Sequence, residues 1–352
     1  MCIHEKQQGV ALITVMLIVA SATILAVAML EQQALGLKKA AYAKHAGQSY
    51  FYAIGVERWA VGRLRRDLHD EPAAKAIDHL QEDWARKFNL QLADRQTRVS
   101  GQIDDLNARF NINNLLRQRS GHTAANKKTG DSVKQKKPAA RPPAAGSTSK
   151  PPANTDYQQF KRLLASLQIP PHLGNAVLDW IDSDSLQRFP GGAEKLVYRS
   201  KTRPYGIADN YLSSITELKL VNGMTDEFYA KLAPYVTALP PGTKINVNTA
   251  SARVIASLSP QFNSTVVAGL LNRRQRQPFK STAGFLRYAR QLSGQKKLLP
   301  ADLQDRIAVS SNYFASRARI RMRQSRLTLI SLIRTDRIRK TAKVIRRGRG
   351  AL

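Results

Sequence analysis

From Val10 to Leu30 the chain runs for 21 residues without a charge, a proline or a glycine. At about 1.5 Å per residue such a run makes roughly 31 Å of helix, enough to cross a hydrocarbon core of about 30 Å. The first charge after Gly9 is Glu31, and no proline follows before Pro72. Over that second stretch Ala46, Tyr50, Ala53, Ile54, Val61, Leu64 and Leu68 recur at helical steps, marking one apolar face. The pattern predicts one continuous helix, lipid-soluble in its first half and amphipathic in its second.

The period then changes. Gln91 to Ile103 alternates as a strand does, and Asn107, Asn111, Asn113 and Asn114 mark a turn-rich segment whose side chains cap loops. Phe160 to Leu299 is helical in pattern. Segments are predicted from Phe160 to Leu167, Ala176 to Ile181, Ser214 to Leu220, Thr225 to Ala233, Ser264 to Arg274 and Ser281 to Leu292. Another runs from Thr249 to Leu258, capped by Asn248 or Thr249. Beyond Arg317 the period is two. Ala318, Ile320 and Met322 fall on a sheet's inner face, while Arg317, Arg319, Arg321 and Arg323 project outward. Leu327 to Ile333 and Val344-Ile345 continue as strands, with Gln324-Ser325 as the hairpin turn. A long helix and first strand come early, the other strands come last, and helices lie between. The class predicted is α+β, with an N-terminal transmembrane and amphipathic helix on a small antiparallel sheet and a large inserted all-α unit.

Composition sharpens this in two places. The 352 residues hold 56 Lys and Arg against 25 Asp and Glu, a net charge of +31. Such an excess points to nucleic acid, acidic lipid or an acidic protein. It is concentrated: Arg117 to Asn154 has nine basic residues and one acid, and Arg317 to Leu352 has thirteen and one. The first of these is rich in Pro, Ala, Ser and Gly and reads as a solvated, disordered loop. The only cysteine is Cys2, so no disulfide can form within the chain.

Three readings fit the apolar segment. It is a secretory signal cut after Ala26-Val27-Ala28, an uncleaved anchor, or a helix exposed by cleavage of a polar leader at Gly9. Its passage without a break into an amphipathic helix favours the third. No nucleophile, zinc or nucleotide motif stands out, so no enzymatic activity is expected. Asp78, Glu82 and Asp83 read as surface acids on a loop. Leu220 to Thr225 and Ile245 to Ala250 look like helix-hairpin-helix turns, which either offer backbone amides to phosphate or pack helices. Asp182 and Asp184, with Asp179 a turn earlier and Glu194 beyond two glycines, form an oxygen-rich loop. It suits Ca²⁺ or is simply solvated.

Several pieces together resemble a known family. They are Gly9-Val-Ala-Leu-Ile13, Tyr52-Ala-Ile-Gly-Val-Glu57, Asp104 to Leu115, Leu178 to Asp184, Pro190-Gly-Gly-Ala-Glu194, Ile245-Asn-Val-Asn-Thr-Ala250 and the arginine-rich end. In this order they resemble the minor pseudopilin K of type II secretion systems. Thr14 stands at the fifth mature position, where most pilins carry Glu and the K subunit does not. The resemblance implies a prepilin leader over 1–9, a membrane helix over 10–30 and a pilin-like unit over 31–116. It implies a basic loop over 117–155, an inserted helical unit over 156–308 and pilin-like strands over 309–352. Prepilin peptidase would cut between Gly9 and Val10 and methylate the Val10 amine. The chain would sit in the bacterial inner membrane as a single-pass protein with its bulk in the periplasm. It would lie at the pseudopilus tip with minor pseudopilins I and J, and H linking to the shaft, and would help start fibre assembly and export of folded proteins. Calcium would be held by Asp182, Asp184 and Glu194, although Lys195 stands where the family tends to have an acid. The alternative reading is a DNA-capturing tip subunit of a pilus-like uptake machine, using the basic tracts and hairpin turns. No aromatic residues interleave with those tracts, which counts against nucleic acid.

Overall fold

The computed structural model describes residues 8–70, 76–116, 155–294, 299–323 and 325–350, with Gln8, Gly9 and Val10 described by backbone alone. Leader residues 1–7 and the basic segment 117–154 lie outside the described residues.

One helix, α1 (Gln8–Asp70), runs for 63 residues, about 95 Å. Ala11 to Lys44 are exposed throughout, and the apolar window within them is not buried by any other element among the described residues. Burial starts at Ser49. From there Ala53, Val56, Ala60, Leu64 and Leu68, at steps of three and four, press onto a sheet. The helix thus has an unpartnered half and a packed half, as its pattern predicts.

The sheet has five antiparallel strands. They are β1 (Phe88–Gln91), β2 (Thr97–Asp105) and, much later, β7 (Tyr313–Met322), β8 (Ser325–Asp336) and β9 (Thr341–Arg349), in the spatial order β1-β2-β7-β8-β9. The single strand expected over Gln91 to Ile103 is a hairpin instead. Asp94 Oδ1 accepts the amides of Gln96 and Thr97, which folds the chain back before it can continue. The β7–β8 turn also falls one residue earlier than expected, since Ser325 already pairs with Met322. Alternation does its expected work. Val99, Ala318, Ile320 and Leu329 meet Ala53 and Val56 of α1, while Ile103, Phe314 and Ile333 meet Ala60, Leu64 and Trp84. Each Val, Leu, Ile or Phe among these contributes about 1.5–3 kcal/mol by leaving water, and the alanines less.

Between β2 and β7 the chain builds a second core. Its main helices are α2 (Thr155–Ser166), α3 (Leu173–Ile181), α4 (Lys195–Arg199), α5 (Asp226–Leu232), α6 (Ala252–Ser257), α7 (Ser264–Arg276), α8 (Thr282–Ser293) and α9 (Leu303–Arg306). Thr225, Ser251, Asn263 and Ser281 cap α5, α6, α7 and α8 through their side chains. The block is not purely helical. Two parallel bridges join β3 (Phe110–Asn111) to β4 (Val236–Thr237) and β5 (Ile245–Asn246) to β6 (Ile307–Ala308). Phe110, Ile112 and Leu115 precede the basic segment yet bury in the helical core, with Phe110 stacked on Phe160 at 5.4 Å.

The asparagines near residue 110 do more than cap local turns. Asn113 Nδ2 donates to the carbonyls of Leu212 and Leu239 while its Oδ1 accepts the Leu212 amide. Asn111 and Asn114 bind the backbone of Leu239, Pro240, Gly242 and Thr243. These side chains pin the largely exposed Leu239–Thr243 loop, and the buried backbone of Leu212 and Leu239, which have no strand partner of their own.

The sheet's outer face is divided. At one end Ala315, Ile330 and Leu332 are covered by Leu106 and Leu239. At the other end Arg319, Arg321 and Arg326 stand exposed, as the alternation predicts.

Candidate metal centre and interdomain joint

The acidic loop is organised around the end of α3. Asp179 lies on the last turn with no exposure, and Asp182 closes the helix with its amide on the Leu178 carbonyl. The chain turns at Gly191, where φ is +81°, and returns at Gly192, whose amide binds the Arg188 carbonyl at 2.8 Å. A Cβ on Gly192 would lie 2.2 Å from that carbonyl and 2.3 Å from Asp179 Oδ2, so the return needs glycine. It brings Glu194 to the aspartates. Asp182, Asp184 and Glu194 each offer an oxygen within 4.8 Å of the others.

One guanidinium enters this group of four carboxylates. Arg188 Nη1 is 2.7 Å from Asp179 Oδ1 and 2.5 Å from Asp182 Oδ2, and Nη2 is 3.7 Å from Asp184. Lys195 does not enter. Its Nζ pairs with Asp209 at 2.8 Å, so the charge that stands beside Glu194 in the sequence is directed elsewhere. Burial and mutual repulsion among the acids push Asp182 up to about 6 and Glu194 up to about 7. Asp182 Oδ1 and both Glu194 oxygens are buried without a well-aligned donor, and only the Lys195 amide leans on Glu194. Under-satisfied oxygens on a tight loop are the donor set a hard divalent cation takes. The residues therefore fit Ca²⁺, with Arg188 as a competing internal cation.

A second acidic group joins the sheet to the helical block. Asp67, Asp78 and Glu82 gather within 4.8 Å. Asp78 is not a surface acid, contrary to its reading from sequence. It is 1% exposed, accepts the Ser311 amide at 2.6 Å and pairs with Arg337. Polar sequence in a loop hid this because the partners lie more than 230 positions away. Asp83 is exposed as expected. Nearby, Asp105 Oδ2 accepts from Thr249 Oγ1 at 2.5 Å and Ser311 Oγ at 2.6 Å, and burial pushes Asp105 up to about 6. Asn246 Nδ2 donates to the Asp78 carbonyl and Ser311 Oγ, while Asn248 exchanges two hydrogen bonds with the Phe279 backbone. The polar side chains of the Ile245–Ala250 turn are thus spent inside the protein. Helix α6 starts only at Ala252, capped by Ser251 rather than by Asn248 or Thr249. The backbone amides of Asn246 to Ala250 also donate within the protein, so the turn joins two units and has none of these amides free for phosphate.

At the other end of the molecule, Gly9 and Val10 lie in the first turns of α1. Thr14 Oγ1 donates to the Ala11 carbonyl, so its hydroxyl is turned back onto the helix.

Family models described as Type II secretion system (T2SS), protein K match residues 108–241 and 245–310. Type II secretion system protein K of Pseudomonas aeruginosa is 31% identical over 99% of this chain and 95% of its own length. Its counterpart in Klebsiella pneumoniae is 32% identical over 80% of each chain. A chain in the crystal structure of the GspK-GspI-GspJ complex from the enterotoxigenic Escherichia coli Type 2 Secretion System superposes with a TM-score of 0.61. It is 23% identical and covers 88% of this chain and 98% of that one, a likeness of fold.

Proposed function

The chain belongs to the type II secretion system protein K family, and from that premise we propose that this minor pseudopilin caps the pseudopilus tip. There it helps to start fibre assembly and the export of folded proteins. The observation that carries the reading is the division of α1. Its first half, Ala11 to Lys44, has no partner among the described residues, while its second half is fixed to the sheet. A helix built this way places its apolar half in the inner membrane or among the apolar helices of other pilin-like subunits. Its globular part is then held on the periplasmic side. The pilin-like reading of the helix on the five-stranded sheet rests on the same division.

Two features support the tip rather than the shaft. The helical block between β2 and β7 gives the head bulk that a subunit stacked above would meet. Thr14 removes the carboxylate that could compensate a neighbour's N-terminal amine, a loss tolerated where no subunit follows. The partners are the minor pseudopilins I and J, in line with a solved complex named for GspK, GspI and GspJ. H links the group to the shaft.

Prepilin peptidase cuts between Gly9 and Val10 and methylates Val10. Calcium, held by Asp182, Asp184 and Glu194, ties the α3 end to the start of α4. Mass spectrometry of the mature N-terminus, with and without a prepilin peptidase, tests the class. A methylated Val10 that needs the peptidase supports it, and a start at Met29 overturns it. Co-purification with I and J in equal amounts, and fibre initiation lost when the chain is deleted, test the tip role.

A further inference from the structure

A cleft of about 410 Å³ opens where the helical block meets the outer face of the sheet. Its floor is aliphatic, made by Leu106, Leu239, Ile330 and Leu332. Its walls carry three guanidinium groups, Arg109, Arg317 and Arg346. Two acids answer them in part: Asp104 stands 3.5 Å from Arg317 Nη2, and Asp104 and Asp105 both act on Arg109. Two donors remain unused, because Arg317 Nε and Arg346 Nε are buried without a hydrogen-bond partner. Arg346 is held in place by the Ser213 carbonyl. Burial disfavours the charge on Arg109, Asp104 and Asp105 offset part of that, and Arg317 beside it works against them. An anion in the cleft relieves both.

The cleft does not end at Arg317. Arg319 follows on the same face of β7, and beyond it Arg321 stands directly between Arg98 on β2 and Arg326 on β8. Like charges opposite one another across strands about 5 Å apart destabilise a sheet. All four side chains are exposed, and none is in an ion pair among the described residues. The face is therefore a strip: an apolar cleft with orphan guanidinium donors at one end and an uncompensated arginine ladder at the other.

We propose that this strip is a docking site for an extended acidic segment of a partner protein, with one or two apolar side chains in the cleft and carboxylates on Arg317, Arg346 and the ladder. Arginine pairs with carboxylates in a planar, two-pronged geometry, which the partly exposed guanidinium groups of Arg317 and Arg346 can offer. A nucleic acid backbone matches the ladder but has nothing to place on the aliphatic floor. Lipid headgroups are remote, since the sheet packs on α1 only from Ser49, about 28 Å of helix past Leu30.

The test uses the full chain in nanodiscs of zwitterionic lipid. The probes are a fluorescein-labelled peptide of alternating Asp and Leu, the same peptide with Asn for Asp, and a labelled DNA duplex. The acidic peptide is expected to bind at least tenfold tighter than its Asn counterpart, with affinity falling as salt rises. Arg317→Ala with Arg346→Ala is expected to weaken it at least tenfold, and Arg98→Ala with Arg321→Ala severalfold. Ala230→Trp, at an exposed position on the cleft wall, blocks the cleft without altering its charge or core and is expected to weaken binding too. Equal binding of the two peptides, or unchanged binding to both the double arginine variant and Ala230→Trp, overturns the proposal. So does DNA that binds more tightly than the acidic peptide and is lost in the same variants.

Discussion

Arg347 on the last strand grips Glu57 on the long helix with both prongs, Nε to Oε2 at 2.7 Å and Nη2 to Oε1 at 2.8 Å. Ser331 Oγ adds a third donor at 2.5 Å. Glu57 is 4% exposed while half of the Arg347 side chain faces water, so the two partners are not equivalent. Burial alone raises the Glu57 pKa, but Arg347 and Ser331 outweigh it and hold the carboxyl below its usual range. Removing Arg347 strands a buried charge, whereas neutralising Glu57 frees an exposed one. Arg347→Ala is expected to cost about 2–3 kcal/mol and Glu57→Gln about half of that in urea unfolding of the detergent-solubilised chain. The lowered pKa also sets a sign. Its contribution is present above about pH 4.5 and is lost as pH falls through the folded value. That acid-side loss should vanish in Arg347→Ala, and its persistence would show that the pair does not govern it.

Arg188 makes the metal loop a competition. With the arginine present, four carboxylates share one fixed positive charge; without it, Asp179 is buried with no cationic partner. Arg188→Ala is expected to lower stability in chelator by about 2–4 kcal/mol and to tighten Ca²⁺ binding about tenfold. Calcium should then raise the melting temperature of the variant more than that of the wild type. Asp182→Asn and Glu194→Gln should remove the calcium response. Titration calorimetry showing no gain in affinity for Arg188→Ala would falsify the competition.

The carboxylates of the acidic loop were legible as a group in the sequence because they lie within sixteen positions of one another, on a helix end and two glycines. The Lys195–Asp209 pair could not, and neither could the role of Arg188, since no spacing rule says which cation turns inward. The long apolar helix was legible from an uncharged run, and the amphipathic stripe and the inward Ala318, Ile320 and Met322 from period, because each buried face is fixed by a repeat of 3.6 or two. What failed to show was long-range polar pairing. Asp78 with Arg337, Asp105 with Thr249 and Asn113 with Leu212 join residues about 100 to 260 positions apart. A buried Asn or Asp leaves the same trace in sequence as one in a turn. The outer face of β7 and β8 was hidden for a related reason. Arg317 and Arg319 share one alternation, yet one borders the helical block and the other faces water.

Asn113 offers a sharp test of the amide clamp. Replacing it by Ala leaves the Leu212 amide and carbonyl and one Leu239 carbonyl bond unmet in a buried site. A loss of about 2–4 kcal/mol is expected. Asn113→Asp should cost more, because a carboxylate then faces two carbonyl oxygens. Thermal unfolding of both variants checks the order, and an Asp variant as stable as wild type would refute the clamp.

Glu82 sets a descending limb in stability against pH. Burial, Asp67 and Asp78 together push it up to about 8, against the donors His79 N and Trp84 Nε1. The folded state therefore holds a proton that the unfolded state has released from about pH 4.5 upward. Because the folded state binds more protons in that window, stability falls as pH rises from about 4.5 to about 8. Asp105, raised to about 6, adds to the lower part of the same limb. Between pH 6 and 8 Glu82 is the main contributor at this joint. Glu82→Gln keeps the shape, loses the titration and is expected to flatten the fall by about 1–2 kcal/mol, allowing for solvent screening. Melting temperatures from pH 5 to 9 for the wild type and Glu82→Gln decide it. Parallel curves between pH 6 and 8 would place the proton elsewhere.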